Sequence, residues 1–271
     1  MLHEKSFDTG TVTINYVEGP RSGAPLLLIH GLSVRWQIYL PIMPPLLMRW
    51  HVYALDNRGC GKSGRVPGRY RFADYPQDTI AFLKGNVSEP AVLCGHSLGA
   101  MASIAVAAQA PELVRAVILE DPPLGAVSGR EANPAFQTRF KALREIARKH
   151  GSVDDMAREM KRVMPDDDAA AIRFRAKALS QLDPDVFTPA IEGGMGEGYD
   201  LDGFLRRISC PVLLLQGNVA RGGALADADA TRAASLLANC IHVRMPQCGH
   251  GIHISHPLET LGIVSNFLES L

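Results

Sequence analysis

Four short apolar runs, Leu26–Ile29, Val52–Leu55, Ala91–Cys94 and Val114–Leu119, recur at wide intervals through the first half of the chain. Runs of this length without polar alternation suit parallel strands buried on both faces, because such strands have no wet side. Thr11–Val17 alternates instead, as a half-exposed strand does, between the turn signals Gly10 and Gly19-Pro20. Stretches able to form helices, such as Tyr75–Leu83 and Leu98–Gln109, lie between the apolar runs. Strand alternating with helix predicts an α/β fold with a mostly parallel, doubly wound sheet.

The alternation stops after Pro122-Pro123. From Leu124 to Arg207 the apolar period becomes helical. Phe136, Phe140 and Leu143 form one stripe, and Met156, Met160 and Met164 form another at i, i+4 and i+8. Alternation resumes with Pro211–Leu215, a helix near Thr231–Leu237, a strand at Ile241–Met245 and a closing helix from Leu258. The pattern predicts a core of residues 1–123 and 208–271, with an all-helical cap, 124–207, inserted after the sixth strand. The methionines read either as flexible core filling or as the lining of an adaptable apolar pocket, since Met tolerates varied shapes.

The chain's 271 residues suit one α/β domain with an insertion. Its 28 basic and 28 acidic residues leave no net charge to attract nucleic acid or an acidic membrane, and the insertion is equally balanced. The five cysteines are scattered and never spaced as C-x-x-C, which argues against a disulfide framework or a zinc knuckle. No signal-like segment and no apolar run of membrane-spanning length is present, so a cytoplasmic setting is expected. Nothing in the composition speaks to oligomeric state.

Two motifs carry chemistry. Gly95-His96-Ser97-Leu98-Gly99 follows an apolar strand and precedes an Ala-rich helical stretch, the context of a nucleophile elbow. The serine must project from a strained turn, and the flanking glycines let the strand and helix backbones approach. Near the C-terminus, Gly249-His250-Gly251 follows the last strand, where a histidine base for the serine is expected. His250, His253 and His256 also form an H-x-x-H-x-x-H run, but no acidic or cysteine ligand stands at a recognised spacing, so no metal is expected.

Gly59-Cys60-Gly61-Lys62-Ser63-Gly64 fits a dinucleotide fingerprint, yet Arg65-Val66-Pro67-Gly68 follows instead of the helix that would hold a pyrophosphate. A phosphate-binding loop would need glycine where Asp56 stands. Both nucleotide readings are rejected, and these glycines are expected to shape a loop beside the site.

Together, His30-Gly31-Leu32, Asp56-x-Arg58-Gly59-x-Gly61-x-Ser63, Gly95-x-Ser97-x-Gly99 and Gly249-His250 resemble the α/β-hydrolase fold family, specifically its cap-bearing members. The resemblance covers most of the chain outside the insertion. It implies cofactor-free hydrolysis through an acyl-enzyme, with Ser97 as nucleophile, His250 as base and the backbone N–H groups of Leu32 and Leu98 as oxyanion hole. His30 then reads as a loop-orienting residue. Most members carry the acid in a G-x-x-D turn after the seventh strand, but here the turn reads Gly217-Asn218-Val219-Ala220. Some members place it after the sixth strand, which points to Asp121 with Glu120 as the alternative. Adjacent strand residues face opposite sides, so only one of these can aim at the histidine. Asp227 and Asp229 read as capping residues near a helix start.

The expected activity is hydrolysis of a carboxylic ester or lactone. A cap with phenylalanine, methionine and leucine and balanced charge favours a neutral, apolar substrate. Carbon–carbon bond hydrolysis, cofactor-free peroxidation and a non-catalytic ligand receptor on the same fold remain open, because the fold does not dictate the reaction.

Overall fold

The apolar runs form the centre of an eight-stranded sheet. The computed structural model describes residues 2–130 and 135–271. Its strands are β1 (His3–Asp8), β2 (Thr13–Glu18), β3 (Pro25–Ile29), β4 (His51–Leu55), β5 (Ala91–His96), β6 (Val114–Glu120), β7 (Val212–Gly217) and β8 (Cys240–Met245). They lie in the order β1-β2-β4-β3-β5-β6-β7-β8. The pairs β1/β2 and β2/β4 are antiparallel, and every other neighbouring pair is parallel.

The central strands are uniformly apolar because their alternate residues feed two separate cores. Leu27, Ile29, Leu93, Val117 and Leu119 join one hydrophobic cluster, while Leu26, Leu28, Val92, Ala116 and Ile118 join the other. Helix α1 (Met43–Leu47) buries Met43 and Leu46 in the second cluster, whereas α2 (Tyr75–Asn86) and α3 (Leu98–Gln109) bury their apolar residues in the first.

Between β6 and β7 the described residues contain helices and no strand: α4 (Ala135–Arg148), α5 (Val153–Val163), α6 (Ala169–Leu179), α7 (Thr188–Glu192) and α8 (Leu201–Arg207), with short 3-10 turns at Leu124–Ser128 and Pro184–Phe187. Leu143, Met156, Met160 and Met164 join the same cluster as α3, so the insertion seals onto the core by apolar packing. After β7 come α9 (Asp227–Leu236) and, beyond β8, α10 (Ile252–Ser255) and α11 (Pro257–Glu269).

Two local expectations change. The chain opens with β1, which sequence patterning does not reveal. His3–Asp8 is almost wholly exposed on this sheet edge, so neither face demands apolar residues. Asp227 and Asp229 lie in the first turn of α9 and do not cap it; Ala226 holds the cap position. Asp227 instead accepts hydrogen bonds from Gln216 and Arg244. Among the described residues, no helix is long and apolar enough to cross a membrane.

Candidate active site

Strand β5 ends at His96 and α3 begins at Leu98, so Ser97 alone makes the turn, with φ 55° and ψ −115°. A serine held at positive φ is strained by roughly 1–3 kcal/mol, and only surrounding structure can keep it there. The glycines supply the close approach. A Cβ on Gly99 would collide with the Ile29 carbonyl of β3, and one on Gly95 with the carbonyl of Gly99. The Ser97 N–H donates to the Glu120 carbonyl at 2.9 Å, fastening the turn to β6.

His250 sits in the loop between β8 and α10, with its ring between serine and carboxylate. Ser97 Oγ lies 2.9 Å from His250 Nε2, and His250 Nδ1 lies 2.7 Å from Asp121 Oδ2. Asp121 is fully buried, immediately follows β6 and also has positive φ, 45°. Its carboxylate accepts three further hydrogen bonds, from the N–H groups of Gly217 (3.0 Å), Ala224 (2.7 Å) and Leu225 (3.3 Å). The segment after β7, where Ala220 replaces the usual carboxylate, therefore presents donors to a carboxylate on the neighbouring strand.

Glu120 points the other way. It meets His253, whose Nδ1 lies 2.6 Å from Oε2, and makes no hydrogen bond to the His250 ring. The two candidate acids thus serve different histidines. His256 lies apart from both, half-buried, with Nδ1 beside the Ser255 hydroxyl at 3.0 Å. The three histidines of the run have separate partners, and among the described residues no group of three potential ligands converges on a metal position. Turnover should be unchanged by EDTA; loss on chelation with recovery on added zinc would contradict this assignment of partners.

Leu32 and Leu98 both line the cavity above Ser97. Leu98 is the first residue of α3, where N–H groups have no intrahelical acceptor and the helix dipole is positive. Neither backbone N–H is engaged by another described residue. His30 does not reach the serine. Its Nδ1 donates to the Gly31 carbonyl (2.6 Å) and its Nε2 accepts the Asn57 N–H (2.9 Å). Burial pushes its pKa down despite Asp56 nearby, so a neutral ring braces the loop carrying Leu32. The glycine-rich segment closes on itself. Gly59 N–H bonds the Gly64 carbonyl, and the Asp56 carboxylate accepts the N–H groups of Trp36 (2.9 Å) and Lys62 (3.0 Å). Coil and a turn, not a helix, follow it directly.

The cavity has a volume of about 620 Å³. Phe136, Phe140, Leu143, Met160 and Met164 contribute its apolar wall, so two of the three stripe methionines both fill core and face the pocket. Gly193 and Gly194, with φ 90° and 85°, form part of its rim. Counting charge over the insertion conceals a further feature. Arg130, Arg139 and Arg175 also line the cavity. Arg130 and Arg175 pair with Asp229 and Asp167. Arg139 has no ion pair among the described residues; its guanidinium lies over the Phe136 ring, 4.8 Å from the centroid. Burial, with repulsion from Arg175, pulls its pKa below the ordinary value. The signal was readable, since Arg139 stands three residues after Phe136 on an otherwise apolar stripe.

Residues 26–262 match the Alpha/beta hydrolase family. The chain is 28% identical over 269 residues to a 2-(acetamidomethylene)succinate hydrolase from Mesorhizobium japonicum, covering 97% of this chain and 94% of that protein. The crystal structure of an E-2-(acetamidomethylene)succinate hydrolase superposes with a TM-score of 0.80 at 24% identity, covering 99% of this chain and all of that one. A carboxylesterase from Bacillus subtilis superposes with a TM-score of 0.79 at 20% identity, covering 99% and 92%. With its elbow, its sheet order and this match across most of its length, the chain belongs to the alpha/beta hydrolase family.

Proposed function

We propose that this protein is a serine hydrolase that cleaves an ester or lactone bond of a small, carboxylate-bearing substrate through an acyl-enzyme. The hydrogen-bonded line from Ser97 through His250 to Asp121, opening on a cavity, is the observation that carries the reading. Ser97 Oγ attacks the acyl carbon as His250 Nε2 takes its proton, and Asp121 holds the ring in the tautomer that can do so. The N–H groups of Leu32 and Leu98 receive the developing oxyanion. His250 then protonates the leaving group, and a water activated by the same ring releases the acid. Residues 124–207 act as a cap that selects the substrate, and the five free thiols support a reducing, cytoplasmic setting.

Arg139 argues for a departure from the expected neutral, apolar substrate. A guanidinium drawn out of water with no carboxylate of its own is offset best by a carboxylate on the ligand. The Mesorhizobium relative is named for a succinate, a dicarboxylate carrying an acetamido group. This supports a second reading, in which the scissile bond is an acyl C–N bond of an unsaturated diacid. Carbon–carbon hydrolysis would use the same serine and histidine. A panel of aryl esters, lactones, N-acyl enamine diacids and vinylogous diketones, run against wild type and Ser97→Ala, separates the three.

Arg139→Ala should raise KM for a carboxylate-bearing ester by about 10- to 100-fold, the worth of a hydrogen bond to a charged group, and leave neutral esters of equal size unaffected. An equal loss on charged and neutral esters would remove Arg139 from recognition. The wider role of the cap predicts the same asymmetry: substitutions at Phe140 or Met164 should change discrimination among acyl groups more than the chemical step.

A further inference from the structure

A second set of polar side chains lies behind the Ser97–His250–Asp121 line, and proton transfer does not use it. His96 and Glu120 are register partners on the parallel strands β5 and β6, one residue before Ser97 and Asp121 respectively. Both are buried. Alternation along a strand turns them away from the face that their successors use. They reach the loop of His250 from beneath. His96 Nε2 donates to the His250 carbonyl at 2.9 Å. Glu120 accepts both the backbone N–H of His253 (3.0 Å) and its ring Nδ1–H (2.6 Å). The His253 ring in turn stacks on Tyr39 at 4.8 Å, and the Tyr39 hydroxyl donates to the Ile29 carbonyl at the end of β3.

Packing alone gives no reason for this arrangement. Burial drives the His96 pKa down to about 3, so the ring is neutral with a single N–H, which His250's carbonyl takes. His96 Nδ1 and His253 Nε2 are left buried without partners among the described residues. Each such atom gives up the hydrogen bond it would make in water. Burial would also raise the Glu120 carboxyl, but electrostatic attraction from the His253 side and the two N–H donors of that residue overcome it and hold the group at about 2. Apolar side chains of similar size would fill this space without those penalties.

We propose that His96, Glu120 and His253 are positioning residues. They clamp the chain at residues 250 and 253, on both sides of the turn into α10, so that His250 Nε2 keeps its distance from Ser97 Oγ through acylation and deacylation. This rests on the reading of Ser97 and His250 as nucleophile and base.

Two variants test the clamp. Glu120→Gln keeps the side chain's size but places an N–H2 where His253 already presents a donor. Glu120→Met combined with His253→Phe removes the pair without stranding a buried charge, which favours a folded protein. On a small aryl ester, with active sites titrated by a fluorophosphonate, kcat per titrated site should fall by about 10- to 100-fold while KM is unchanged, as a base displaced by a fraction of an ångström requires. A purely structural role would lower thermal stability and the titrated fraction but not kcat per site. Ser97→Ala is run in parallel. If it stays active, the catalytic reading fails first. If it is inactive while both Glu120 variants keep wild-type kcat, or change KM alone, the clamp is overturned and the catalytic reading stands.

Discussion

Ser97→Ala and His250→Ala should each lower kcat by about 10⁴–10⁶, and the double variant should be scarcely worse than either alone. The non-additivity follows from the geometry. Ser97 Oγ and His250 Nε2 share one hydrogen bond of 2.9 Å, so removing either partner ends the same proton transfer. Residual turnover then comes from the oxyanion donors and the cavity, which both substitutions leave in place. A fluorophosphonate should label wild type once per chain, at Ser97, and peptide mapping would locate the adduct. His250→Ala should label far more slowly, since the serine loses its base. Labelling at any other residue, or an active Ser97→Ala enzyme, would sink the acyl-enzyme mechanism.

Asp121→Asn should lower kcat by about 10³–10⁴ while the protein remains folded but less stable. The carboxylate faces four donors: the His250 ring N–H and the N–H groups of Gly217, Ala224 and Leu225. An asparagine can offer only one oxygen to this surround. With its N–H2 at the Oδ2 position, it confronts Ala224 N–H and obliges His250 Nδ1 to accept. The proton then sits on Nε2, where it blocks transfer from Ser97. With its N–H2 at the Oδ1 position, the histidine tautomer survives, but the N–H groups of Gly217 and Leu225 lose their acceptor. Buried donors without partners cost about 1–3 kcal/mol each, so this orientation is the less stable. The enzyme is therefore expected to choose the inactive tautomer, with a loss exceeding that of Glu120→Gln. A folded Asp121→Asn protein with near-wild-type kcat would transfer the acid's role elsewhere.

The sheet, the helical insertion and the elbow were legible in the chain because each is written in local pattern. A strand buried on both faces must be apolar throughout, as Leu26–Ile29 and Ala91–Cys94 are. A helix packed on one side must repeat at 3.6, as Met156, Met160 and Met164 do. The glycines around Ser97 stand where backbones touch, and that restriction shows in five residues. Strand β1 was not legible, because His3–Asp8 at a solvated edge buries too little for its pattern to be constrained.

What tertiary structure alone decides is which groups meet. Glu120 and Asp121 are neighbours in sequence with the same charge, and alternation says only that they diverge. The fold brings the end of β7 and the loop after it, with three N–H donors, beside Asp121, and brings His253 beside Glu120. The Arg139 side chain likewise belongs to a balanced charge count until packing leaves it at the cavity without an acidic partner among the described residues. Local pattern records what each residue must avoid, water or crowding, over a few neighbours. Hydrogen-bond partners 96 to 133 residues apart, such as Asp121 with Gly217 and Glu120 with His253, are set by strand order and loop path, which no short-range period encodes.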